Sequence, residues 1–126
     1  MGDVALSSQQ SEVLERIENS SDHVFITGRA GTGKTTLLQA FVENTAKVVA
    51  VSAPTGVAAL AVGGQTIHSL LRLPLGIIGS RELGFIPKES LAVLASLDAL
   101  VIDEVSMVSA DVLDALDRRL RQAKRK

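Results

Sequence analysis

The sequence predicts an α/β protein in which a parallel sheet, covered by helices on both faces, is built around a phosphate-binding loop. Three observations carry this expectation. Residues 28–36 read GRAGTGKTT and satisfy G-x-x-x-x-G-K-[ST], with Gly28, Gly33, Lys34 and Thr35 in the fixed places. Strand-like, turn-like and helix-like stretches then recur in that order, the pattern of βαβ units and hence of a parallel sheet. Finally, an apolar run at residues 99–103 (ALVID) ends in the acids Asp103-Glu104.

The chain has 126 residues, which suits one small domain at most. It is 46% hydrophobic, with three Phe and no Cys, Trp or Tyr, which describes an aliphatic interior without disulfides. The first ten residues, MGDVALSSQQ, contain no long apolar core, so neither a secretory signal nor a membrane span is expected. A cytoplasmic protein without a membrane partner fits, or a nuclear or mitochondrial one in a eukaryote.

Each element has a local reason. Ser7-x-x-Gln10 forms a capping box ahead of Val13, Leu14 and Ile17, predicting a helix over residues 7–18 that packs on a strand at residues 23–27 (HVFIT). Residues 19–22 (NSSD) make the turn between them. After the glycine-rich loop, Leu37, Leu38, Phe41 and Val42 have helical spacing within residues 35–43. A second strand is expected at residues 47–53 (KVVAVSA), then a turn at Pro54-Thr55-Gly56, a small-residue helix over 57–62, and a stop at Gly63-Gly64. Thr66 caps a short helix over residues 66–72. Residues 73–90 hold Pro74, Gly76, Gly79, Gly84 and Pro87 and read as an excursion from the sheet. A helix over 90–95 and the strand at 99–103 follow.

The glycine-rich loop lets successive N–H groups converge on one phosphate with the positive end of a helix dipole behind them. Lys34 then brings a cation to the β- and γ-phosphates, and the Thr35 hydroxyl is placed to ligate Mg²⁺. An acid at the end of a buried neighbouring strand reaches the same ion, the role expected of Asp103. Glu104 takes the position of a general base for an attacking water. Without the loop upstream, such an acidic pair is merely a strand end meeting solvent.

Net charge is −1, but residues 118–126 (RRLRQAKRK) carry six of the 13 basic residues and no acid. Such a segment either touches nucleic acid or complements the dipole at a helix end.

GRAGTGKTTLL, APTGVAALAVGGQTIHSLLRLP and LVIDEVSMVSADVLDALDRRLR together resemble the amino-terminal ATPase domain of the PIF (petite integration frequency) DNA helicases, superfamily 1 motors related to RecD. The stretch TIHSLL favours PIF over RecD-type relatives, which share the DE-x-SM core. The resemblance implies a RecA-like P-loop NTPase fold, ATP and Mg²⁺ as cofactors, and single-stranded DNA as partner. It also implies 5′-to-3′ helicase activity driven by ATP hydrolysis, in DNA repair and recombination. The nucleotide cradle implied comprises Gln10, Gly28, Ala30, Gly31, Thr32, Gly33, Lys34, Thr35 and Thr36, with Thr35 and Asp103 on the metal. LSSQQSEVL is similar to the adenine-recognising Q motif, which assigns the adenine edge to Gln10. APTGVAA is similar to motif Ia, which assigns single-stranded DNA contacts to Thr55 and Gly56, and TIHSLL adds Thr66, His68 and Ser69. The lack of Trp and Tyr points to a grip on phosphates rather than on stacked bases.

Residues 1–126 are expected to be the amino-terminal part of helicase motor domain 1A, with later motifs and a second motor domain lying outside them. Two alternatives stay open: another P-loop ATPase or kinase, and a non-catalytic nucleotide-binding module. Stimulation of ATP hydrolysis by single-stranded DNA separates the helicase from the first, and intact Lys34, Thr35, Asp103 and Glu104 count against the second.

Overall fold

In the computed structural model, which describes residues 6–27 and 33–125, the capping box at Ser7 opens helix α1 (Ser8–Asn19). The Ser7 hydroxyl accepts from the Gln10 N–H at 3.1 Å, and Gln10 Oε1 accepts from the Ser7 N–H at 2.9 Å. At the other end Lys47 Nζ donates to the Ile17 and Ser20 carbonyls at 2.7 and 2.8 Å. A cation thus satisfies carbonyls that the end of a helix leaves without intrahelical donors.

The chain divides into two compact units, Met1–Lys47 and Val48–Lys126. In the first, α1 packs against α2 (Lys34–Asn44), which buries Leu37 and Phe41. Glu18 ties the end of α1 to the segment after α2, accepting from the Thr45 hydroxyl and the Ala46 N–H. These two bonds, the hydroxyl's first, hold its carboxyl below the usual value.

Residues 23–27 correct one expectation: they form no strand, and Phe25 is 73% exposed. The physical reason is pairing. A β-branched run is a strand only when a neighbour takes its N–H and C=O groups, and none among the described residues does. The helix expected to pack on that strand packs on α2 instead.

The second unit holds the sheet. Strands β1 (Val49–Ala53), β2 (Gln65–Thr66) and β3 (Ala99–Ile102) are all parallel, in the order β2-β1-β3. Asp98 sets the entry to the β1–β3 pair: its carboxylate accepts from Val48 N–H at 2.8 Å while its own N–H donates to the Val48 carbonyl at 2.8 Å. Helix α3 (Gly56–Ala61) follows β1, and α4 (Ile67–Leu71) follows β2 with Thr66 as its cap, as expected. Strand β2 was not expected, because two residues show no periodicity.

The excursion expected over residues 73–90 ends at 87, before a helix that begins at Lys88; residues 73–87 contain no helix or strand, yet Leu73, Ile78 and Ile86 are buried in the main core. They meet Ile67, Leu70 and Leu71 of α4, Leu94 of α5 (Lys88–Ser96), and Ala115, Leu116 and Ala123 of α6 (Ala110–Lys124). Each fully buried Leu or Ile contributes roughly 1.5–3 kcal/mol. Among the described residues no helix is long and apolar enough to cross a membrane.

Candidate functional site

The phosphate-binding loop is described from Gly33 onward; Gly28, Ala30, Gly31 and Thr32 lie outside the described residues. Gly33 is the N-cap of α2, with φ +89°. That left-handed conformation suits a residue without a Cβ, and a Cβ there would lie 2.6 Å from Gln10 Nε2. The Gly33 carbonyl accepts from Leu37 N–H at 2.9 Å, the first bond of the helix, and from Gln10 Nε2 at 3.3 Å. Lys34 and Thr35 follow on the exposed first turn, and Thr36 is half-buried. The start of a helix favours an anion through its orphan N–H groups and dipole. Within the first unit, Gln10 and the loop's end are therefore brought together.

The second unit gathers the other candidates at the carboxyl edge of its sheet. Asp103 N–H donates to the Ser52 carbonyl at 2.9 Å, continuing the β1–β3 ladder one residue past β3. Ser52 is fully buried and donates its hydroxyl to the Val101 carbonyl at 2.9 Å, pinning the same strand pair. Glu104 then turns left-handed, with φ 55° and ψ 42°, and leads into a 3₁₀ turn at Val105–Met107. Its side chain is exposed and that of Asp103 half-buried.

Thr66 stands in register with Ala53, two residues before Thr55, so both threonines occupy the carboxyl ends of adjacent strands. Each caps the helix that follows: the Thr55 hydroxyl accepts from Ala58 N–H at 3.2 Å, and that of Thr66 from Ser69 N–H at 3.1 Å. Gly56 starts α3 with open space where a Cβ would stand. Ser69 is exposed, and His68 is half-buried, its carbonyl accepting from Leu73 N–H at 3.0 Å. Ligands in open α/β sheets lie off this end of the strands.

A family model described as PIF1-like helicase matches residues 5–126. The chain belongs to the PIF1-like helicase family. It is 37% identical over 130 residues to the ATP-dependent DNA helicase PIF1 of Saccharomyces cerevisiae, covering 94% of this chain and 15% of that protein. With the ATP-dependent DNA helicase Pif1 of Bdellovibrio bacteriovorus it is 33% identical over 129 residues, covering 97% and 29%. The structure of Bacteroides sp. Pif1 in complex with ADP-AlF4 superimposes with a TM-score of 0.92 at 38% identity, covering 98% of this chain and 29% of that one. Bacteroides Pif1 bound to ssDNA gives 0.90 at 38% identity over the same shares. This chain thus spans between 15% and 29% of these relatives' lengths, and shares their RecA-like P-loop fold.

Within this PIF1-like chain, three basic side chains of α6, Arg118, Arg119 and Lys124, bond back onto preceding segments, whereas Arg121 is exposed and pairs with Asp117. Arg119 is only 1% exposed and donates through Nε to the Leu71 carbonyl, through Nη2 to those of Arg72 and Leu83, and through Nη1 to that of Gly84 and to Gln122 Oε1. Burial lowers its pKa from the ordinary value, though a guanidinium stays charged. Arg118 donates to the Gly79 and Arg81 carbonyls and pairs with Asp114, and Lys124 donates to the Ala95 and Leu97 carbonyls. Asp111 completes the clamp, accepting from the Ile78 and Gly79 N–H groups at 2.8 and 2.6 Å. Those bonds, Ile78's first, hold its carboxyl below the usual value. The sequence carried one signal of this: Arg119 lies four residues from both Ala115 and Ala123, on the buried face of α6.

Proposed function

We propose that this chain carries the amino-terminal part of motor domain 1A of an ATP-dependent DNA helicase, binding Mg-ATP and coupling its hydrolysis to 5′-to-3′ movement along single-stranded DNA. The observation that carries the reading is the gathering of Thr55, Thr66, Asp103 and Glu104 on one carboxyl edge of a parallel sheet, in a chain whose other unit ends a glycine-rich loop at a helix start.

In this reading Lys34 holds the β- and γ-phosphates, and Gln10 takes the adenine edge. Gly28, Ala30, Gly31, Thr32, Gly33 and Thr36 supply the cradle around the phosphates. Glu104 accepts the proton of the attacking water, a role worth about 10²–10⁴-fold in rate. The hydroxyl of Thr35 and the carboxylate of Asp103 are hard oxygen donors, which suit Mg²⁺. Among the described residues no group of three or more His, Cys, Asp or Glu could hold a metal, which fits an ion held largely by phosphate and water. Bound Mg²⁺ supplies neutralisation of charge on the transferring phosphoryl group. Thr55, Gly56, Thr66, His68 and Ser69 line the path of the DNA backbone. The direction of movement rests on the family resemblance, as does action in the cytoplasm, nucleus or mitochondrion, wherever the DNA is.

The test uses the full-length protein. Thr55→Ala should weaken single-strand binding several-fold and about equally on all homopolymers, because phosphate contacts position without reading bases. Thr55 is neutral, so the salt slope should hardly change. Fluorescence anisotropy at several salt concentrations measures both, and a loss confined to one base would contradict the assignment. Unwinding of a duplex with a 5′ tail but not of one with a 3′ tail checks the direction.

A further inference from the structure

The Gln10 side chain joins the cap of α1 to the end of the phosphate-binding loop, and its two partners there have opposite polarity. Ser7 N–H can only donate, so the amide atom facing it at 2.9 Å is the oxygen. The Gly33 carbonyl can only accept, so the atom facing it at 3.3 Å is the nitrogen. Turning the amide over would set oxygen against the Gly33 carbonyl and NH₂ against the Ser7 N–H, losing both bonds. The approach needs a residue without a Cβ at position 33, since a Cβ there would lie 2.6 Å from Nε2.

An unrestrained glutamine does not read polarity, because its carboxamide rotates to present donor and acceptor in either order. A locked one reads a single order. Gln10 Oε1 keeps one lone pair, and Nε2 one N–H, beyond those used by Ser7 and Gly33. Adenine offers the N6–H donor beside an acceptor, N7 or N1, which matches one acceptor beside one donor. Guanine puts an acceptor, O6, where adenine has the N6 donor, so against the same fixed amide two oxygens face each other. We propose that the Ser7 N–H and the Gly33 carbonyl are the purine-selecting elements of this site: by fixing the Gln10 amide in one orientation, they make it admit ATP over GTP. This rests on the reading of Gln10 as the adenine contact, and assigns the selectivity to two backbone groups rather than to the glutamine alone.

The test is kcat/KM for ATP over GTP on the full-length protein. Ser7 has φ −66°, the angle proline adopts, so Ser7→Pro removes the N–H with the backbone geometry kept. Ser7→Ala removes the hydroxyl cap alone. Ser7→Pro should lower the ATP:GTP ratio about three- to tenfold, the worth of one neutral hydrogen bond, while Ser7→Ala keeps the wild-type ratio. Gln10→Ala should abolish the preference. An unchanged ratio in Ser7→Pro beside a lost one in Gln10→Ala overturns the lock and leaves the adenine contact standing. An unchanged ratio in Gln10→Ala overturns the adenine contact and the lock with it. A measurement free of variants stands beside these: side-chain ¹⁵N relaxation of Gln10 in the wild-type protein without nucleotide. Order near that of rigid backbone, about 0.85, supports the lock, and a value below about 0.6 overturns it.

Discussion

Glu104 holds φ 55° and ψ 42°, a left-handed conformation that costs a residue with a Cβ about 1–3 kcal/mol. Neighbouring bonds impose it: Asp103 N–H is fixed to the Ser52 carbonyl, and Met107 N–H closes the next turn on the Glu104 carbonyl at 3.0 Å. Strain retained at an exposed acid suits a residue kept for chemistry. Glu104→Gly should therefore raise stability by about 1 kcal/mol, since glycine enters this region without a Cβ clash, while abolishing ATP turnover. Urea melts and phosphate release on the same preparation check both halves, and a loss of stability would contradict the strain. The acidic pair itself was legible, because four apolar residues set it at a strand end. Its backbone was not, since nothing in a glutamate side chain announces a positive φ.

The connection from α3 to β2 shows the same division among elements. Gly63, at φ +69°, donates its N–H to the Leu60 carbonyl at 3.2 Å, and Gly64 donates to that of Ala59 at 2.9 Å, the paired bonds that close a helix on a left-handed glycine. A stop was legible in the Gly-Gly pair, but the different reasons for the two glycines were not. A Cβ on Gly64 would lie 2.2 Å from the Val51 carbonyl oxygen, in the backbone of β1. Gly64→Ala should therefore cost about 1–3 kcal/mol by forcing two strands apart. At Gly56, where nothing lies within 4 Å of an added Cβ, alanine should be close to neutral. Thermal melts of the two variants compare them directly, and equal stabilities would contradict the close packing. Residues 23–27 have the composition of a strand and do not form one, because composition cannot supply the neighbour that completes a ladder.

Across the whole molecule, the excursion at residues 73–87 is held by α6 rather than by structure of its own. Its core residues Leu73, Ile78 and Ile86 were legible only as scattered apolar positions, and the basic stretch only as a charge run. What joins them is tertiary: Arg119 donates to the carbonyls of Leu71, Arg72, Leu83 and Gly84. Arg119→Ala leaves the buried Leu71 carbonyl without this donor, strips the part-buried carbonyls of Arg72, Leu83 and Gly84 of theirs, and should cost about 1–3 kcal/mol. Lysine should not rescue it, lacking the planar fork. Asp111 adds a pH dependence. Its folded-state pKa lies below the ordinary value of 3.8, so its contribution is complete above the unfolded value and fades as pH falls through the folded one. The clamp should loosen only below about pH 4, and Asp111→Asn should flatten that part of a pH–stability profile. The central claim, that this chain's residues bind ATP and drive its hydrolysis, is tested most directly by ATP affinity and DNA-stimulated turnover measured together on Lys34→Ala and Glu104→Gln in the full-length protein. The account predicts that Lys34→Ala loses ATP affinity, whereas Glu104→Gln keeps it and loses about 10²–10⁴-fold in turnover. Equal loss of affinity in both, or undiminished turnover in Glu104→Gln, would contradict it.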